Sequence, residues 1–217
     1  MFRSVIFDLD GTLLNTIDDL ADAGNWVCRQ NGWPTFTAEQ FKLMVGGGIP
    51  NLCSRLSPED CRTEARLAET LEQFSARYAA HKEDRTAPYE GIPALLEHLR
   101  AAGVQIGVFS NKADPLTKAV IEHYFPGVFT HVRGAVSGCP VKPNPTGLFA
   151  LMDAMRADPA STLFVGDSSV DVYTGHNGRL PVCGVLWGFR SRTELAGAGA
   201  DHLAETPQQL EALILGH

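Results

Sequence analysis

The chain has 217 residues, 44% of them hydrophobic and 20% charged, a balance typical of soluble globular proteins that excludes disorder and fibrous repeats. That length allows one large domain or a core domain with a smaller companion, and either can bury an apolar core. With 25 acidic residues against 18 basic, the net charge is -7 and no Lys/Arg cluster exists, so nucleic acid is not an expected partner. No apolar run approaches the roughly 18 residues of a membrane span, and Asp8 and Asp10 interrupt the N-terminal apolar stretch too early for a signal peptide. A cytoplasmic protein is expected. Cys28, Cys53, Cys61, Cys139 and Cys183 form no CxxC pair, which predicts reduced thiols rather than disulfides or zinc ligands.

In chain order, Val5 to Phe7 predict a buried strand that ends at Asp8 in a turn containing Gly11. Ile17, Leu20, Gly24 and Val27 fall on one helical stripe. Ser57 and Pro58 look like a cap and first-turn pair, with Leu67, Leu71, Phe74 and Tyr78 following at helical spacing. Ile92 to Ala102 predicts a helix closed by Gly103, then a strand over Val104 to Phe109. Asp114 with Pro115 and Asn144 with Pro145 predict two more helix starts. Strands are expected at Thr162 to Val165 and Val182 to Leu186, and the acidic stretch after Arg192 reads as a solvated surface.

This alternation predicts an α/β protein with a doubly wound parallel sheet covered by helices on both faces. About 90 residues separate the first two strands, whereas a crossover needs only about a dozen. An inserted helical cap is therefore expected over residues 17-86, hinged at both ends to a core of 1-16 and 87-217.

The candidate chemistry lies where strands run out. In FDLDGT, Asp8 and Asp10 follow the first strand, at the end of an open α/β sheet where ligands bind. A carboxylate there can attack phosphorus and form an acyl phosphate, which a second carboxyl can help water to hydrolyse. Paired aspartates are also common turn formers after strands. GDSSVD repeats the pattern with Asp167 and Asp171, so three or four carboxylates are expected to converge. Like charges that close raise one another's pKa and call for a divalent cation; oxygen ligands without His or Cys favour Mg2+. Asp171 reads either as a ligand or as a helix-start residue supporting the ligands.

In VFSNK, Ser110 and Asn111 offer a hydroxyl and backbone N-H groups to a phosphate oxygen. In VKPNP, Pro143 biases Lys142 toward an extended backbone, placing an ammonium that can offset carboxylate charge and hold a transferring phosphoryl group. A lysine before proline is, by itself, an ordinary surface feature.

The order DxDGT, Ser at a strand end, Lys before Pro, then GDxxxD resembles the haloacid-dehalogenase-like phosphohydrolase superfamily along the whole chain, and within it the phosphoglycolate-phosphatase-like group. The resemblance implies a Rossmann-like core with a cap inserted after the first motif. It also implies Asp8 as nucleophile and metal ligand, and Asp10 as general acid and base that lends its backbone carbonyl to Mg2+. Asp167 matches a further metal ligand, and Ser110, Asn111 and Lys142 match phosphate-holding positions. Leu14, Asn15 and Thr16 stand where many relatives have an acidic residue and a serine, a change at the hinge rather than in the chemistry. Gly46, Gly47 and Gly48 form a loose cap loop that reads either as a segment closing over a small substrate or as a plain connector. Trp187 to Arg190 also resembles the group, although a strand-end turn explains it equally well.

The expected activity is that of a Mg2+-dependent phosphatase of a small phosphorylated metabolite, acting through an aspartyl phosphate. A sugar phosphomutase could use the same aspartyl phosphate and is the alternative. A dehalogenase would lack Asp10 and need no metal, and a receiver domain has no use for a cap of about 70 residues. Oligomeric state and the physiological substrate are not written in these motifs.

Overall fold

A computed structural model describes residues Met1-Gly216. The chain opens with strand β1 (Ser4–Phe7), passes through the two-residue β2 (Leu14–Asn15), and enters helices α1 (Ile17–Gln30), α2 (Ala38–Met44), α3 (Ile49–Leu56) and α4 (Glu64–His81). It returns on β3 (Ala87–Pro88), which pairs with β2. Next come α5 (Ile92–Ala101), β4 (Gln105–Ala113), α6 (Asp114–Tyr124), β5 (His131–Ala135) and α7 (Thr146–Met155). The last elements are β6 (Thr162–Gly166), α8 (Ser169–Asn177), β7 (Val182–Val185), α9 (Arg192–Gly197), β8 (His202–Ala204) and α10 (Pro207–Leu215). Two compact units result: Met1–Leu14 with the chain from Pro88 onward, and Asn15–Ala87. No helix among the described residues is long and apolar enough to cross a membrane.

The first unit is built on a six-stranded sheet ordered β5-β4-β1-β6-β7-β8, with every neighbouring pair parallel. Alternation along the strands sorts the side chains onto two faces. Val5, Phe7, Val108, Leu163 and Val165 pack with Leu95, Leu96 and Leu99 of α5, Val120 and Ile121 of α6, and Leu210 and Ile214 of α10. Ile6, Phe109 and Phe164 point the other way, into Leu148, Leu151 and Met155 of α7, Val172 of α8 and Leu195 of α9. Helices thus cover both faces, as the doubly wound reading requires, and the central strands carry continuous apolar runs because both of their sides are buried.

The second unit, Asn15–Ala87, is built from helices α1 to α4 and the connections between them. Ile17, Leu20, Gly24 and Val27 are all on the buried side of α1. Asp19, 2% exposed, accepts hydrogen bonds from the Thr86 N-H at 2.8 Å, the Thr86 hydroxyl at 2.7 Å and the Arg85 N-H at 3.0 Å. Its carboxylate thereby ties the first turn of α1 to the returning chain, and satisfied donors are what make a buried aspartate tolerable there.

Several local expectations change. Ser57 and Pro58 do not start the long helix; they lead into a 3-10 turn at Glu59–Cys61, and α4 begins later, where the Thr63 hydroxyl accepts the Arg66 N-H at 3.4 Å. Asp114 lies inside the first turn of α6 instead of capping it, because its carboxylate takes the Gly134 N-H at 2.9 Å and pairs with Lys118 at 2.8 Å. Strand β4 continues past Phe109 to Ala113. Strands β5 and β8 were not expected: one is a half-buried edge and the other has three residues, so neither carries an apolar run. Among the cysteines, Cys28, Cys53 and Cys183 are buried free thiols, and burial pushes them up to about 11, 12 and 12 respectively.

Phe164 is fully buried at the centre of the second face. Phe164→Ala should lower unfolding free energy by about 3-5 kcal/mol in denaturant titration, since the surrounding helices cannot collapse onto the space left.

Candidate functional site

All of the charged site residues belong to the first unit, and the sheet register brings them together. Phe7 is opposite Val108 on β4 and Val165 on β6, so Asp8 and Asp167, which follow their strands, and Ser110, still within β4, all come within two residues of those pairs. The Asp8 N-H donates to the Val165 carbonyl at 2.8 Å, which continues the ladder one residue beyond β1.

Carboxylate oxygens of Asp8, Asp167 and Asp171 lie within 4.8 Å of one another, and all three residues are buried. The Lys142 ammonium sits against two of them, 2.8 Å from Asp8 Oδ1 and 2.7 Å from Asp171 Oδ1, on a side chain that is 2% exposed. Its charge is also about 6 Å from the ring centroids of Phe109 and Phe164, the aromatic pair between which cation-π attraction adds to the pairing. The other oxygen of Asp171 accepts the Ser168 N-H at 3.1 Å and the Ser168 hydroxyl at 2.6 Å. Both oxygens of Asp171 are therefore engaged by the protein. Asp167 Oδ2 accepts the Phe189 N-H at 2.7 Å.

Burial drives the electrostatics. It pushes the Asp8 carboxyl up to about 7, with Lys142 opposing and Asp171 and Asp10 adding to the rise. Asp167 is held well above the usual carboxylate range by burial and by the charges of Asp171 and Asp8, against the Phe189 N-H and Arg190. For Lys142 burial works downward, but Asp171 and Asp8 outweigh it and raise the ammonium above the ordinary lysine value. Three carboxylates facing one ammonium form a pocket that resists its own negative charge. An all-oxygen donor set of that kind fits a hard divalent cation.

Asp10 stands apart from that cluster. Its carboxylate pairs with Lys112, Oδ1 to Nζ at 2.5 Å. Asn111 places its amide on the Lys142 backbone, accepting that N-H at 2.8 Å and donating to that carbonyl at 3.2 Å. The buried Ser110 hydroxyl accepts the Lys112 N-H at 3.2 Å, which leaves its own proton to donate. Gly46, Gly47 and Gly48 belong to the other unit, between α2 and α3; Gly46 and Gly48 have φ of 107° and 83°, so the segment has a defined shape that side chains disfavour.

Two groups were overlooked in the sequence. Lys112 lies in the last part of β4, beyond Phe109 where the sequence reading ended the strand. Ser168 is the other: with Asp171 at the third helical position it forms a reciprocal cap, a pattern present in the sequence as S-x-x-D. The Trp187 to Arg190 segment proves to be structural to the site, since the Trp187 indole N-H donates to the Thr12 carbonyl at 3.0 Å.

Residues 5–185 match the family described as haloacid dehalogenase-like hydrolase. The chain belongs to that family. A phosphoglycolate phosphatase of Rhodospirillum rubrum is 33% identical over 213 residues, covering 92% of this chain and 86% of the relative. A crystal structure from Lactobacillus delbrueckii subsp. bulgaricus, provisionally assigned as a phosphoglycolate phosphatase, has a TM-score of 0.94 and 31% identity over 100% of this chain and 99% of that one. A protein of Bacteroides vulgatus provisionally assigned as a β-phosphoglucomutase aligns with a TM-score of 0.80 over 97% of this chain and 86% of its own; at 18% identity that likeness is one of fold. Within the haloacid dehalogenase-like hydrolases the chain falls in the phosphoglycolate-phosphatase-like group, as a phosphoric monoester hydrolase.

Two glycines give the cluster its shape. Gly11 has φ of +90°, and a Cβ there would lie 2.3 Å from Asp167 Oδ2. A Cβ on Gly188 would lie 2.3 Å from Asp167 Cβ and 2.4 Å from the Gly11 carbonyl oxygen. Gly188→Ala should therefore cost about 1-3 kcal/mol of stability through overpacking and displace Asp167. Calorimetry with and without divalent cation checks both, the expected result being a lower melting temperature and a smaller cation-induced rise.

Proposed function

We propose that the chain is a Mg2+-dependent phosphatase that hydrolyses a small phosphomonoester, phosphoglycolate or one like it, through an aspartyl phosphate on Asp8. The observation that carries this reading is Asp8 itself, a buried carboxylate held at the sheet's ligand-binding end by Lys142 and crowded by Asp167 and Asp171. The name of the Rhodospirillum rubrum relative supports the choice of substrate.

In the first step an Asp8 oxygen attacks phosphorus, the phosphorus-ester oxygen bond breaks, and the leaving oxygen takes a proton from Asp10. In the second, water attacks the same phosphorus, Asp10 accepts the water's proton, and the Asp8-phosphorus bond breaks to release inorganic phosphate. Lys142 and the Ser110 hydroxyl hold the phosphoryl oxygens during both steps, and Asn111 acts by fixing the Lys142 backbone. Asp171 supports Lys142, since its two oxygens are already engaged by Lys142 and Ser168. Asp8, Asp167 and the Asp10 carbonyl are the groups that would hold Mg2+. When bound, Mg2+ supplies the positive charge that lets Asp8 and Asp167 ionise together and that offsets charge on the phosphoryl oxygens.

Asp8→Asn should reduce kcat by roughly a thousandfold or more while leaving the melting temperature close to wild type, because an amide keeps the shape and loses the nucleophile. Phosphate release from a panel holding phosphoglycolate, hexose phosphates and nucleotides tests the substrate, with phosphoglycolate expected to give the highest kcat/KM. The same panel followed by phosphorus NMR separates the mutase. Isomer formation from a hexose 1-phosphate outrunning phosphate release would overturn the hydrolytic reading. EDTA should abolish turnover, and Mg2+ should restore it and raise the melting temperature.

A further inference from the structure

Lys112 is a buried lysine, 5% exposed, that neither the motifs nor the two steps above use. It lies near the end of β4, two residues after Ser110, whose hydroxyl accepts the Lys112 N-H at 3.2 Å. Because β4 pairs with β1 in parallel register up to Phe7 and Val108, residues 8-10 follow β1 beside the last residues of β4. The ammonium meets Asp10 Oδ1 at 2.5 Å. The Asp10 side chain is 21% exposed, against 10% for Asp8 and 1% for Asp171.

Three of the four aspartates are thus sorted by two lysines. Lys142 gathers Asp8 and Asp171 into the buried cluster, and Lys112 takes Asp10 out of it. An aspartate only two residues from Asp8 has two electrostatically favourable places for its carboxylate: beside a lysine, or on a cation held by its neighbours. The second place would remove it from proton transfer.

We propose that Lys112 is a positioning residue for Asp10, holding its carboxylate apart from the acidic cluster so that it is available to the departing ester oxygen. The inference rests on the acid-base role proposed for Asp10. In this role it acts through Asp10, so a loss at Lys112 has the character of a loss at Asp10.

The test compares an alkyl phosphate, whose poor leaving group needs a proton, with an aryl phosphate, which does not. K112M and K112Q should lose about tenfold or more in kcat on the alkyl ester and less than about threefold on the aryl ester, with KM little changed. K112R should recover most of that loss. In a D10N background, adding K112M should cost nothing further on either ester, as expected for two residues acting as one unit. The double variant also contains no unpaired charge from this pair, so it reports on Lys112 even where K112M alone melts early. Mg2+ titration followed by melting temperature supplies a readout apart from turnover: K112M should bind Mg2+ at least as tightly as wild type. Equal losses on both esters, additive losses in the D10N background, or weaker Mg2+ binding would each overturn the proposal. D10N losing equally on both esters would instead overturn the acid-base role of Asp10, and the positioning of it with it.

Discussion

A single buried ammonium, Lys142, holds the site together. Its two contacts, with Asp8 and Asp171, lie in a region where desolvation works against every charge present. Taking an ion pair out of water costs several kcal/mol per ion unless the geometry is excellent and the remaining lone pairs find donors. Those conditions are met: Ser168 satisfies the far oxygen of Asp171, Asn111 fixes the Lys142 backbone, and Phe109 and Phe164 flank the ammonium. What is not met is neutrality. With three carboxylates to one ammonium, the pocket is poised for a ligand of positive charge and is a poor device for stability alone.

The sheet explains why so many charges can be placed so closely. β1 has parallel neighbours on both sides, β4 and β6, so three consecutive strands deliver their following residues to the same end. An antiparallel neighbour would send its last residues the other way. Apolar side chains above and below these strands fix the register, and a one-residue slip would exchange the two cores and move every charged group. The position of Asp8 relative to Asp167 is therefore guaranteed by hydrophobic burial at some distance from the chemistry, with Gly11 and Gly188 leaving the space that the carboxylates fill.

The parts of this arrangement legible in the sequence are those that border an apolar run. Asp8 follows Val5 to Phe7 and Asp167 follows the Thr162 strand, and the change from apolar to acidic marks each strand end. The doubly wound sheet could be read for the same reason. Lys112 and the last residues of β4 could not, because Ser110, Asn111 and Lys112 are buried against polar partners, and hydrophobic periodicity has no signal for a buried lysine. β5 was lost through its half-buried edge position. At Ser57 and Pro58 the local chemistry of a helix start is genuine, yet Pro58 adopts an extended ψ of 152° and the better-placed Thr63 receives the helix. Two valid local signals competed there, and tertiary packing of Phe74 and Tyr78 selected between them.

The class of reaction and the identity of the substrate differ in how a chain encodes them. A class of reaction needs a few charges at fixed places, and here the clustered ones all belong to the first unit, just after β1 and β6, in the first turn of α8 and in the segment before α7. The second unit contributes none of the clustered charges; its own buried carboxylate, Asp19, is fully occupied in closing its ends. Its freedom to vary is correspondingly greater, because its helices must only preserve their own packing. Motifs that fix a few charges at given places specify a chemistry, and they carry no information on which ester is selected.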